Sequence, residues 1–423
     1  MPRPPMAGPA TARPAMTRRR FLIGSAAAVA AAGAAAAARS GTGLLPGAHR
    51  SALAAVRPGR GILVVVTLYG GNDGLNTLIP ATDSRYRAGR PTLGYQPSEV
   101  LALADGLGLH PALSGMKSLW DAGRLAVVRG VGYPDPVLSH FRSMDIWQSG
   151  SPTTAETTGI FGRWLDATGT DPMRAVNVGG PLPLLLRGEK SSGSSLSPTG
   201  AASAGATGAL DTALAALDRP GPERSELANL VARSGSDRLT VEHRIADLLG
   251  PSAGPGPTPA ASGRAGGLAG PLELAARLIR AGSPTRLYHV AVNGFDNHTN
   301  EKQAHARVLA DLDAGVGGFF TGLAGSPAGD DVVLVAYSEF GRRVAENASG
   351  GTDHGTAAPV FVAGRSVHGG RFVGDEPSLA DLDDGNLRFT TDYRAVFATL
   401  LADVIGVDPA VALPKGTPTL PLF

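Results

Sequence analysis

The chain has no cysteine in 423 residues. That absence excludes disulfides, thiolate metal sites and a cysteine nucleophile, and folding cannot depend on the redox state of the compartment. Net charge is almost as scarce, since 38 Lys and Arg against 36 Asp and Glu leave only +2. Much of that excess is Arg3, Arg13, Arg18, Arg19 and Arg20. No nucleic-acid partner is expected from so balanced a charge. Internal repeats are missing as well. Small and apolar residues are plentiful. Hydrophobic residues make up 43% of the chain, enough for a substantial core, while 58 Gly and 33 Pro predict extended loops.

Apolar runs set the expected elements. Residues 61–69, GILVVVTLY, form a continuous run that reads as the first central strand. Runs at 125–128, 286–292, 332–337 and 360–363 predict further strands. Helical spacing predicts helices after Pro111, after Ser139, and over 272–279, 301–323 and 391–407. Residues 189–208 and 250–270 are rich in Ser, Gly, Pro and Ala and read as loops. Between them Leu227, Leu230, Val231, Val241, Ile245, Leu248 and Leu249 recur at helical spacing, so a flexible or helical insertion is expected over about 189–270.

Near the start, Thr17, Arg18, Arg19, Arg20, Phe21 and Leu22 precede an Ala-rich apolar stretch reaching Ala38. The arrangement resembles a bacterial twin-arginine export signal; its other reading is an N-terminal membrane anchor. As a signal and leader over residues 1–54, it implies passage through the twin-arginine translocase. The location would be periplasmic, cell-envelope or secreted, with no lasting membrane span. That route carries folded cargo, often already loaded with a cofactor.

Chemistry concentrates at the ends of the apolar runs. After the first come Gly70, Gly71, Asn72, Asp73 and Gly74, where Asp73 or Asn72 either caps a turn or offers a carboxylate to a cation. Ser139 and His140 open a predicted helix, and the serine is either an N-cap or a nucleophile favoured by the helix terminus. Asp296 and His298 follow the run at 286–292, and in an extended segment both would face the same way. Glu339, Phe340, Gly341 and Arg342 follow the run at 332–337, and Asp353 and His354 stand in the Gly-rich loop before the last one. His305 reads as a residue of the site's outer layer or of the helix surface. His289 reads as strand packing, His110 as structural and His368 as part of a turn.

Taken in series, the segments GGNDGLN, SHF, FDNH, SEFGR and GTDHG resemble the alkaline phosphatase and sulfatase superfamily. They are more closely similar to an exported bacterial family related to it, domain of unknown function 1501. The resemblance spans residues 61–423. It implies an alkaline-phosphatase-like, doubly wound α/β sandwich over 55–423, with a mostly parallel central sheet and helices on both faces. It also implies one or two divalent metal ions, with zinc, manganese, calcium and magnesium not distinguished. By the same resemblance Asp73, Asp296, His298, Glu339, Asp353 and His354 are metal ligands. Ser139 is the nucleophile, His140 a ligand or acid, and Arg342 or Arg142 a clamp for the anion. The implied reaction is hydrolysis or transfer of a phosphate or sulfate ester, with a small anionic ester or a cell-envelope component as partner. One departure stands out: Glu339-Phe340 replaces the superfamily's usual Asp-His pair, so an imidazole ligand is missing unless Asp353 substitutes. That leaves a single-metal enzyme, or a catalytically degenerate envelope binding or assembly protein on the same scaffold. Without cysteine, and without the accompanying Pro and Arg beside Ser139, a formylglycine sulfatase is not expected.

Overall fold

The computed structural model describes residues 61–196, 216, 218–250 and 267–423. The expected export signal, and parts of the loops at 189–208 and 250–270, lie outside them.

Among the described residues nine strands form the main sheet: β1 Ile62–Tyr69, β2 Leu125–Gly132, β3 Ala175–Val178, β4 Ser194–Leu196, β5 Leu287–Asn293, β6 Val332–Ser338, β7 Ala358–Gly364, β8 Arg371–Val373 and β9 Thr391–Asp392. Their order is β8-β2-β7-β6-β1-β5-β3-β4, with β9 also beside β2. Every pairing is parallel except those of β7, which runs against both β2 and β6. At the centre, Val64 of β1 pairs with Tyr288 of β5 on one side and Leu334 of β6 on the other.

The strands read as unbroken apolar runs because helices cover both faces. The principal helices are α1 Ser84–Gly89, α2 Ser114–Asp121, α3 His140–Ser149, α4 Ile160–Thr168, α5 Glu226–Leu249, α6 Ala269–Arg280, α7 Glu301–Gly322 and α8 Tyr393–Thr399. Alternate residues of β1 then enter two different cores. Ile62, Val64, Val66 and Leu68 join Met116 and Trp120 of α2, Leu272 and Ile279 of α6, and Leu312 and Phe319 of α7. Leu63 and Val65 join Trp147 of α3, Phe161 and Trp164 of α4, and Val396 and Phe397 of α8. This is the expected α/β architecture, a mostly parallel sheet between helical layers.

By contact the chain divides into two compact units. Of the described residues, the smaller holds 216 and 218–236. Within it, the Asn229 side chain accepts the Gly221 N–H at 2.8 Å and donates to the Gly221 carbonyl at 3.0 Å. Of the described residues, the larger holds 61–196, 237–250 and 267–423 and carries the sheet and both of those cores. The helix foreseen within 189–270 is α5, whose Val241 and Ile245 are buried in the first core. Among the described residues no helix is long and apolar enough to cross a membrane.

Candidate metal centre

Four chain segments meet at one rim of the sheet, and strand direction is the reason. Parallel strands β2, β5 and β6 end there, delivering His140, then Asp296 with His298, then Glu339 to Arg342. Because β7 runs the other way, the residues preceding it, Asp353 and His354, arrive at the same rim. Loops outside the carboxyl ends of parallel strands are the usual place for a ligand in such sheets.

One oxygen is the focus of the cluster. Asp296 Oδ1 lies 2.9 Å from His298 Nε2, 3.4 Å from His354 Nε2 and 3.5 Å from His140 Nε2. His298 Nε2 and His354 Nε2 are 3.0 Å apart, and the His140 and His354 rings meet edge to face at 4.3 Å. Each ring's other nitrogen is occupied. His140 Nδ1 is 2.7 Å from Glu339 Oε1, His354 Nδ1 is 2.8 Å from the Leu138 carbonyl, and His298 Nδ1 is 3.4 Å from Asp353 Oδ1. A carboxylate or carbonyl on the far nitrogen fixes ring orientation and tautomer, the usual outer arrangement of a metal-binding histidine. His140 Nε2 is the telling atom: it is buried and has no hydrogen-bond partner. A buried polar atom without a partner costs free energy, and a cation held with Asp296 and His354 would satisfy it. The residues present therefore fit a metal ion.

The electrostatics agree. The hydrogen bond to Glu339 raises the His140 pKa, whereas desolvation lowers that of His354. Asp296 is held at about 2: partial desolvation opposes ionisation, but the Arg342 hydrogen bond and charge, with His140 and His298, outweigh it. Glu339 is fully buried, accepting from the Gly70 N–H at 2.9 Å as well as facing His140. Its place is behind an imidazole. Phe340 is also buried, with its ring 4.9 Å from His140 and 5.0 Å from His354, so it forms an apolar floor where the resemblance led one to look for another imidazole.

Arg342 is a clasp. Its Nε donates to the Gly71 carbonyl at 2.7 Å and its Nη1 to the Thr352 carbonyl at 2.8 Å. Its Nη2 reaches the Phe295 carbonyl at 3.1 Å, Asp296 Oδ1 at 2.8 Å, and the Gly70 carbonyl. All three nitrogens are thus committed to the loops after β1 and β5 and before β7. Ser139 is the exposed N-cap residue of α3, and its side chain makes no capping bond. It sits between Leu138, which holds His354, and His140. Arg142 Nη2 is 3.4 Å from the carbonyls of Pro152 and Thr154.

Asp73 belongs to a second, buried group with Glu301 and His305. Arg90 grips it through both oxygens, with Nη2 2.8 Å from Oδ1. Burial opposes ionisation, but Arg90 holds the Asp73 carboxyl down at about 2. Burial and the neighbouring Asp73 charge keep Glu301 protonated well above the ordinary carboxylate range. Glu301 Oε2 accepts from the Thr352 hydroxyl at 2.6 Å, and His305 Nε2 is 2.9 Å from Asn72 Oδ1. Every donor here has a partner inside the protein, and Arg90 already supplies the positive charge. Nothing in the sequence pattern marked Arg90 or Glu301; each lies at the edge of a helix, as charged residues commonly do.

Residues 250–412 match the family described as "Protein of unknown function (DUF1501)", the family that the motif series resembles. Among curated proteins no relative matches the chain. Among solved structures, the chain is similar to the lipoteichoic acid synthase LtaP of Listeria monocytogenes at 8% identity and a TM-score of 0.40, covering 84% of this chain and 74% of that one. It is similar to the C-terminal periplasmic domain of EptC from Escherichia coli at 11% identity and a TM-score of 0.39, over 85% and 88% of the two chains. A protein in the alkaline phosphatase superfamily from Vibrio parahaemolyticus is 12% identical with a TM-score of 0.37, over 85% and 70%.

Proposed function

We propose that this chain is an exported, metal-dependent hydrolase or transferase of phosphate or sulfate esters. One divalent cation would be held by His140, Asp296, His298 and His354. The observation that carries the reading is the partnerless, buried His140 Nε2 facing the carboxylate that two other imidazoles share. Three imidazoles and one carboxylate favour zinc or a neighbouring transition metal over magnesium or calcium, which prefer all-oxygen ligands. When bound, such an ion supplies the positive charge that lowers the pKa of a coordinated hydroxyl and polarises an ester oxygen. Glu339, Asp353 and the Leu138 carbonyl orient the three rings.

Ser139 is the nucleophile of this reading. The residue is exposed at the start of α3 and its side chain makes no capping bond, and the free backbone N–H groups of a helix start favour an anion. The serine oxygen forms a bond to phosphorus or sulfur as the ester's alkoxide leaves and the hydroxyl proton passes to solvent. Water, or an acceptor alcohol in transfer, then releases the group. Arg342 acts indirectly by fixing Asp296. Residues 17–38 supply the export signal in this reading.

Elemental analysis of the purified chain, with hydrolysis of aryl phosphates and sulfates by wild type and Ser139→Ala, tests it. Expected are one metal ion per chain and loss of turnover in the variant. Equal rates for the two proteins would remove the serine from the mechanism, and a metal-free chain that cannot be loaded would remove the centre.

A further inference from the structure

Two large apolar side chains beside the proposed centre face solvent. Phe141, the residue after His140, is 87% exposed, and Leu138, whose carbonyl orients His354, is 41% exposed. They lie three residues apart at the opening of α3, so they flank Ser139 on both sides along the chain. The segment between Gly132 and Ser139 contains Pro134 and Pro136, which restrict the backbone that presents Leu138. Two large apolar residues exposed on either side of the proposed nucleophile are within reach of whatever binds there, and a substrate is the occupant their position favours.

We infer that Leu138 and Phe141 form an apolar shoulder that receives the organic substituent of the ester, so that the substrate class is aryl or long-alkyl esters. This inference rests on the proposed metal centre and deepens it. The anionic group sits at the imidazoles, and the carbon-bearing group lies outward across the first turn of α3. Burying an aromatic ring against Phe141 removes apolar surface of both from water and strengthens binding about tenfold or more.

The test uses binding. The zinc-loaded chain is titrated calorimetrically with phenylphosphonate and with methylphosphonate, neither of which can be hydrolysed. Phenylphosphonate should bind about tenfold more tightly. Phe141→Ala should abolish that preference while keeping zinc content and unfolding midpoint, and Phe141→Leu should keep most of it. Equal binding of the two probes by wild type, or a preference that survives Phe141→Ala, overturns the apolar shoulder and leaves the metal centre standing. Failure of both probes to bind overturns both readings. Sedimentation supplies two further contrary outcomes. A dimer that Phe141→Ala converts to monomer gives the patch to a second copy of the chain, and retention on phosphatidylcholine vesicles lost in that variant gives it to a lipid surface; either overturns the inference.

Discussion

Glu339 and Arg90 show how one side chain acts through another. Glu339 touches His140 rather than the space between the rings, so Glu339→Gln should keep the fold and weaken zinc binding roughly 10- to 100-fold, as loss of an outer carboxylate generally does. Competition against a chromophoric chelator measures it; an unchanged affinity would show that the imidazole needs no orienting partner. Arg90 is buried against Asp73, and removing it strands a buried carboxylate. Arg90→Met should cost roughly 3–5 kcal/mol in urea unfolding, and Arg90→Met with Asp73→Leu should recover most of it. A single variant costing under about 1 kcal/mol would contradict the buried-charge account. Asp73 was legible as a carboxylate at the end of a strand. Its partner was not, because an arginine 17 residues away is brought to it only by the path of the intervening chain.

Among elements, the contact between the loop after β5 and the loop before β7 decides whether His298 meets His354. Gly351 has no room for a side chain: a Cβ there would lie 2.3 Å from the His298 carbonyl carbon and 2.4 Å from its oxygen. Gly351→Ala should therefore push the two loops apart and lower zinc affinity by at least tenfold, with a smaller effect on the unfolding midpoint of the sheet. Gly317 in α7 is the contrast, since a Cβ there meets nothing within 4 Å. Gly317→Ala should leave metal affinity unchanged and stabilise by up to about 1 kcal/mol through helix propensity. The runs that became β1, β5, β6 and β7 were readable in order, because short apolar stretches rich in β-branched residues and bounded by turn residues read as strands of a covered sheet. The direction of β7 was not readable. An apolar run looks the same whichever way it pairs, yet its reversal is what carries His354 to the same rim as Asp296.

For the molecule as a whole, acid stability should reflect buried neutral histidine. His289 bridges three neighbouring strands, with Nε2 3.0 Å from Thr67 Oγ1 and Nδ1 2.8 Å from Asn177 Oδ1. Burial lowers its pKa to about 3. The unfolded chain, with an ordinary histidine pKa near 6.5, then binds a proton that the folded chain refuses, so stability is lost as pH falls from about 6.5 toward 3. The contribution approaches about 1.4 kcal/mol per pH unit. His110, at about 4, and His305, at about 3, are also kept neutral by burial and act in the same direction. Urea unfolding at pH 7 and pH 5 should show the loss, and His289→Gln should lessen it while His110 and His305 keep the remainder; a pH-independent midpoint in wild type would refute the assignment. Export belongs to this scale too. Replacing Arg18 and Arg19 together by Lys should hold the chain inside the cell, as fractionation would show, and undiminished export would remove the twin-arginine reading.

Sequence alone determined the alternating pattern of strands and helices, the strand-end positions of the carboxylates and imidazoles, and the exclusion of thiol chemistry. These follow from local facts: apolar periodicity dictates which segments must be buried, and composition dictates which atoms exist. Only the tertiary structure decided which donors share a point in space. It set His298, His354 and His140 around one oxygen of Asp296, put Glu339 behind a ring, closed Arg342 over three loops, and gave Asp73 to Arg90. Convergence depends on strand order and direction, set by packing among segments hundreds of residues apart, and no short stretch of chain encodes that.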